Sequence, residues 1–305
     1  MTQQNTRLGI GLMLGTVLLF SLQDAVSRHL AGIYSVFVVV TLRFWFSAAF
    51  AVAHAARQPG GIRATARSRN LSLQILRGVL LAAEICIIVL SFVKLGLVGT
   101  HAIFVTAPLI VTALSGPILG EKVGWRRWSA VGVGLIGVLI VIRPGAEVFS
   151  PWVVLPFASA LCFALYGLLT RYVSREDAAG TSFFWMNVAA AGTITPLGLW
   201  HWEWLAGVDW LWMAALCLNS TLAHFLFIKA NEVAEASAIQ PFAYFQLPLV
   251  ALLGVAFFGE SLHWNVVAGA AIVVAAGLFT LWREQQLARR QAMDRVLQRS
   301  TSDPA

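Results

Sequence analysis

Gly120-Glu121-Lys122-Val123-Gly124-Trp125 returns later in the chain as Gly259-Glu260-Ser261-Leu262-His263-Trp264. Each copy follows an apolar run that carries a proline, Pro108 or Pro248, and precedes a run rich in Gly and Ala. A corner repeated together with its flanking runs means that the chain was built twice from one unit. If that unit crosses a membrane an odd number of times, the two copies lie upside down relative to each other. Alternating access requires that arrangement.

Composition places the chain in lipid. Of 305 residues, 59% are hydrophobic and 11% charged, against about 25% charged in a soluble domain, and the mean hydropathy is +0.78. About twenty apolar residues span a bilayer core as a helix. On that ruler ten runs emerge, at 8–27, 33–55, 72–94, 98–118, 125–143, 151–172, 181–201, 208–229, 236–258 and 264–282. The expected fold is an all-α integral membrane protein, with ten transmembrane helices arranged as two inverted five-helix repeats at 8–143 and 151–283. A basic cytoplasmic tail follows at 284–305. The first run is too long for a signal h-region and lacks a small-residue cleavage site, so it reads as a retained helix.

The net charge of +7 is spread between apolar runs rather than gathered on one soluble face. It reads as a topology signal, not a nucleic-acid surface. With the N-terminus inside, seventeen of the 21 Lys and Arg fall on the cytoplasmic side. Arg28, Lys94 and Arg143 fall outside, and Arg43 stays within the membrane. The expected location is the bacterial inner (plasma) membrane, multi-pass, with both termini cytoplasmic. Glu121 then ends the fourth helix inside, and Glu260 ends the ninth outside. Each carboxylate is expected to accept N–H bonds at the start of the helix that follows it. Trp125, Trp264 and most other tryptophans sit at run ends, where amphipathic rings anchor, whereas Trp45 and Trp185 fall inside helices 2 and 7.

A charge in hydrocarbon costs about 2.5–3.5 kcal/mol on insertion scales, so ionisable residues deep in a run mark chemistry or pairing. Arg43 lies about 15 Å into the second run at about 1.5 Å per residue, and Glu84 reaches a similar depth in the third. They are expected either to pair with each other or to face a substrate cavity. Asp24 and Arg28 share a face at i, i+4 and are expected to pair locally. Asp24 and Glu84 are the proton-coupling candidates. Helix 9 carries Gln240, Tyr244 and two prolines at membrane depth, which suits a kinked pocket wall. His101 occupies the equivalent zone of helix 4. Tyr166, Asn187 and His224 complete the polar inventory, read as interhelical glue one at a time and as a midplane substrate site when taken with Arg43, Trp45, Glu84, His101, Trp185, Gln240 and Tyr244. Helices 5 and 10 carry small residues and no internal ionisable group. They are expected outside the transport path, where they pack the halves together or make a homodimer. No metal-ligand spacing and no Gly-rich phosphate loop with a Lys occurs, so neither cofactor nor ATP is expected.

The ten runs, the paired Pro and Gly-Glu corners with their Trp, and Arg43 together resemble the drug/metabolite transporter superfamily, in its EamA-type branch. The resemblance implies a ten-helix inverted-repeat fold in which helices 1–4 and 6–9 surround a substrate cavity while 5 and 10 lie aside. The stretch from Ala223-His224-Phe225 through Gln240 to Leu247 is similar to subfamilies tied to riboflavin or S-adenosylmethionine. The expected function is secondary transport of a small organic metabolite or drug by alternating access, coupled to protons or exchange. The alternatives are a membrane-embedded lipid-modifying enzyme and a facilitative channel. The scattered histidines speak against the first, and the absence of a continuous polar stripe against the second.

Overall fold

A computed structural model of the chain describes residues 5–120, 125–142 and 151–269, with 271, 272, 274–276, 278, 279, 282 and 286 beyond them. Glu121 and nearly all of the expected basic tail lie outside the described residues. Helices α1 (Thr6–Ala31), α2 (Val36–Arg57), α3 (Gly61–Thr65), α4 (Leu71–Phe104), α5 (Ala107–Leu119) and α6 (Trp125–Ile142) form the first half. The second half contains α7 (Val154–Val173), α8 (Ala179–Trp200), α9 (Asp209–Val233), α10 (Ala236–Ile239) and α11 (Gln246–Phe258). A further apolar stretch, Trp264–Ala276, follows. No strand occurs among the described residues.

Five described helical segments are long and apolar enough to cross a membrane: α1, α2, α4, the segment Pro151–Val173 that ends in α7, and α9. The runs expected as helices 4 and 9 are instead broken. The first is split between Phe104 and Ala107, ahead of Pro108. The second is split by a 3₁₀ turn over Gln240–Phe245 that contains Pro241. Proline removes a backbone donor and clashes with the preceding turn, and such breaks persist at membrane depth only where protein or a cavity satisfies the freed groups.

The repeated corner has a physical basis. Gly120 (φ 70°) and Gly259 (φ 63°) both close their helices in the left-handed conformation, which glycine adopts without a Cβ penalty. Gly96 is a different device. At φ 76° and ψ 173° it is the one non-helical residue inside α4, in a region open essentially to glycine alone. It divides α4 into a long arm and a short arm, so a single residue replaces the expected loop.

Helix α1 packs most extensively on α9, α4 on α7, and α2 on α8. Between lipid-soluble helices there is little hydrophobic drive, so close packing of small residues and hydrogen bonds hold the bundle. At the α2–α8 crossing, a Cβ on Gly198 would come within 2.0 Å of Thr41 Oγ1. Helix α6 packs chiefly on α5 and α4 and leaves Leu135, Ile136 and Leu139 exposed.

Candidate functional site

Helices α1, α2, α4, α7, α9 and α11 meet around a central cavity of about 30 Å³, room for one or two water molecules. Asp24 and Gln23 enter from α1, Arg43 from α2, Glu84 and His101 from the two arms of α4, His224 from α9 and Gln246 from α11. Phe20, Phe104 and Phe163 supply aromatic wall, with Phe104 and Phe163 centroids 5.5 Å apart. All of these polar residues except Gln246 are buried.

The expected pairings are corrected. Arg43 and Glu84 share the cavity but do not pair. An Arg43 guanidinium nitrogen lies 2.9 Å from His224 Nε2, and Glu84 accepts the Ser159 hydroxyl at 3.0 Å. Asp24 does not pair with Arg28. Its Oδ2 lies 3.0 Å from His101 Nε2 and accepts Gln246 Nε2 at 2.9 Å. Arg28 reaches across to Glu260. The Glu260 carboxylate also accepts the amides of Leu97 and Val98 at 2.7 and 2.8 Å. It thus caps a helical start as expected, but the start is the short arm of α4 and not the helix after Glu260 itself.

Donor inventories fix two protonation patterns. Arginine only donates, so His224 Nε2 accepts from Arg43 and the ring is neutral with its proton on Nδ1. That Nδ1 has no partner. His101 Nδ1 faces the Leu97 carbonyl at 3.1 Å, which only accepts, so Nδ1 carries a proton. His101 Nε2 lies against Asp24 Oδ2 and, at 3.3 Å, against Gln246 Nε2, so the three side chains form one polar network. Phe92 stacks on the His101 imidazole with ring centroids 5.3 Å apart. Gln23 Oε1 is buried without a partner, a further acceptor on the cavity wall.

The remaining expected site residues lie elsewhere. Trp45 is on the outer surface, donating to Thr195 Oγ1 at 2.8 Å and stacking on Trp202. Trp185 donates to the Ala66 carbonyl, and Asn187 to Phe183 within its own helix. Tyr244 packs in a separate apolar cluster with Val105, Leu109 and Leu247. Gln240 is buried with neither amide atom partnered, on a turn packed against α1 and α5. Tyr166 stands one layer behind the cavity, edge-on to His224. Gln246 was missed by sequence reading, although it lies six residues beyond Gln240 at the start of α11, the end of a helix exposed by the proline break.

Both ends of the bundle are tied. One end holds the Arg28–Glu260 clasp. Helix α1, 26 residues long, spans about 39 Å, so its start lies at the opposite end. There the Asn5 amide donates to the Val233 carbonyl, Arg171 donates to the Asn231 carbonyl, and Lys229 pairs with Glu232. Arg77, one of the seventeen cations expected on the cytoplasmic side, is fully buried. Its guanidinium donates to Thr170 and Gln74. Gln74 in turn donates to Asp177, which also accepts from Ser68 and the Arg69 amide. Burial pushes the Asp177 carboxyl up, but these donors outweigh it and hold it below the usual carboxylate range.

The EamA-like transporter family model matches residues 7–143 and again 150–282. The chain belongs to the EamA-like transporter family. As a member it is a membrane-embedded, multi-pass transporter and not an enzyme. It is 34% identical over 191 residues to a riboflavin transporter of Vibrio cholerae, a match spanning 62% of this chain and 64% of that protein. It is 24% identical over 287 residues to an S-adenosylmethionine uptake transporter of Rickettsia felis, spanning 93% and 95%. A solved crystal structure of 16% identity covers 92% of the chain with a TM-score of 0.67, a likeness in fold alone.

Proposed function

We propose that this family member is a secondary transporter of the bacterial inner membrane that takes up a small heteroaromatic metabolite of the riboflavin class by alternating access, with a proton exchanged at the Asp24–His101 contact as its coupling ion. The observation that carries the reading is the cavity itself. Buried polar groups from both halves converge between two tied ends, and three phenylalanines flank them. A ring lying against Phe20, Phe104 or Phe163 would meet the His224 Nδ1–H as donor, Gln23 Oε1 as acceptor and Arg43 at its edge. Ten spans with cytoplasmic termini follow from the charge bias. The packing supports an internal pseudo-twofold: exchanging the halves turns the α1–α9 pair into α7–α4 and returns α2–α8 to itself. The two broken helices, bearing His101 beside one break and Gln246 beside the other, suit a midplane site.

A cavity of about 30 Å³ is far below the roughly 300–1,000 Å³ of ligand pockets. Loading therefore requires one end to open while the other stays tied, which is the rocking of the two halves. S-adenosylmethionine is the second reading, favoured by the near full-length match and by Asp24 and Glu84, which would face its cationic groups.

Uptake by proteoliposomes tests this. We expect saturable riboflavin uptake with counterflow, faster when an inward proton gradient is imposed. S-adenosylmethionine uptake without riboflavin uptake would establish the second reading. Non-saturable flux would indicate a channel, and transport of neither compound would overturn the substrate assignment.

A further inference from the structure

A second depression, of about 450 Å³, opens on the side of the bundle between α2, α8 and α9. Phe46, Phe50 and His54 line it from α2, and Leu218, Leu222 and Phe225 from α9. Phe46, Phe50, Leu218 and Leu222 are exposed, and α2 and α9 are both long enough to span, so the depression faces hydrocarbon. Positions 46, 50, 54 and 57 form one stripe along α2. Eleven residues rise about 16 Å, the depth of one leaflet, half of the roughly 30 Å hydrocarbon core.

Polarity changes in one direction along that stripe. Two phenylalanines come first. His54 follows, its ring parallel to Phe50 and its Nε2 bonded to Gln58. Arg57 ends the stripe. The segment that continues from it, residues 56–69, holds Arg57, Arg63, Arg67 and Arg69 and no Asp or Glu. All four arginines are exposed, and none forms an ion pair among the described residues.

We propose that this groove binds an anionic phospholipid of the adjoining leaflet. An acyl chain lies against Phe46, Phe50, Leu218 and Leu222, the glycerol esters sit at His54, and the phosphate sits at Arg57 and Arg63. The gradient from apolar to cationic over one leaflet is that of a single lipid molecule read from tail to head. A second copy of the chain, docked side by side, would set arginines against arginines at that end. The site touches the transport path. Ser47 and Thr221 bond at 2.6 Å between groove and cavity, on the same two helices that hold Arg43 against His224. A lipid in the groove therefore bears on the α2–α9 contact.

The test is native mass spectrometry of the full chain, released from micelles that contain equimolar phosphatidylglycerol and phosphatidylcholine of equal chain length. We expect phosphatidylglycerol adducts in excess. Arg57→Gln and Arg63→Gln should each cut that excess roughly fivefold, the factor one interfacial cation contributes. Leu222→Trp, which fills the groove, should lower adducts of both lipids, and Arg7→Gln should change neither. If Leu222→Trp does not fold, Phe50→Ala should shorten lipid retention instead. Equal retention of the two lipids by the unmodified protein would overturn the proposal. So would phosphatidylglycerol retention indifferent to both groove variants, which would mean surface charge alone, or a dimer that disappears in Leu222→Trp. None of these outcomes depends on which substrate is carried.

Discussion

Replacing Glu260 with alanine removes the acceptor of two amides and the partner of one guanidinium. The Leu97 and Val98 amides begin the short arm of α4, directly after Gly96, so they have no carbonyl within their own turn to turn to. A hydrogen bond to a charged acceptor contributes about 1.5–3 kcal/mol. The Glu260 side chain is 14% exposed, so water recovers part of the loss, and about 2 kcal/mol per amide is the figure to carry. That is a factor of roughly 30 in the opening equilibrium at each amide. Hydrogen exchange of a peptide covering residues 95–104 reads it directly. We expect the two leading amides to exchange roughly 30-fold faster in Glu260→Ala, with Glu260→Gln protecting one amide and releasing the other. A clasp that gates one end of the bundle should also raise labelling of the cavity from that side alone. Unchanged exchange at Leu97 and Val98, in a variant that keeps its helicity, would refute the reasoning.

Asp24→Asn should flatten the pH dependence of uptake while leaving counterflow intact, because an amide at position 24 can neither bind nor release a proton; a pH–rate profile identical to the parent's would exclude Asp24 from coupling. Arg43→Ala strands His224 Nε2 without a donor and removes the buried cation, so transport should fall at least about tenfold, corresponding to the 1.5–3 kcal/mol of a charge-assisted hydrogen bond. Arg67→Ala, on the surface, should transport like the parent, and equal behaviour of the two variants in a flux assay would contradict the buried role. Asp177 has a depressed folded pKa, so its contribution to stability is complete above the ordinary aspartate value and disappears as pH falls through the lower folded one. Thermal unfolding of the parent should therefore lose stability over that acidic window and Asp177→Asn should not, with identical acid profiles speaking against the Gln74–Asp177 network.

Much of the fold was legible because lipid imposes a single ruler. Apolar run length places α1, α2, α4, α7 and α9, and the Pro and Gly-Glu pattern marks both corners. The buried positions of Arg43, Glu84 and Asp24 were legible for the same reason: charge inside a long apolar run stands out. Their partners were not. Spacing along one helix offers only neighbours at i, i+3 or i+4, so it proposes Arg28 for Asp24. The structure instead joins Arg43 to His224, Asp24 to His101 and Arg28 to Glu260, residues far apart in sequence that helix packing brings together. Arg77 reads as a cytoplasmic-side cation because Gln74 and Thr170, which satisfy it, are unremarkable in sequence. Trp45 and Trp185 looked like matched pocket members, yet each uses its indole N–H at the periphery. The run boundary between positions 94 and 98 marks the Gly96 joint, but composition does not show that a single glycine suffices to make it.

The cavity wall divides its labour unevenly. Gln23, Asp24, Arg43, Glu84 and His101 come from the first half together with Phe20 and Phe104, whereas Phe163, Gln246 and a neutral His224 come from the second. The ionisable groups of the wall other than His224 thus belong to the first half, and the second contributes uncharged contacts. Substitution in the second half can therefore change which molecule fits without stranding an ion in the low-dielectric interior.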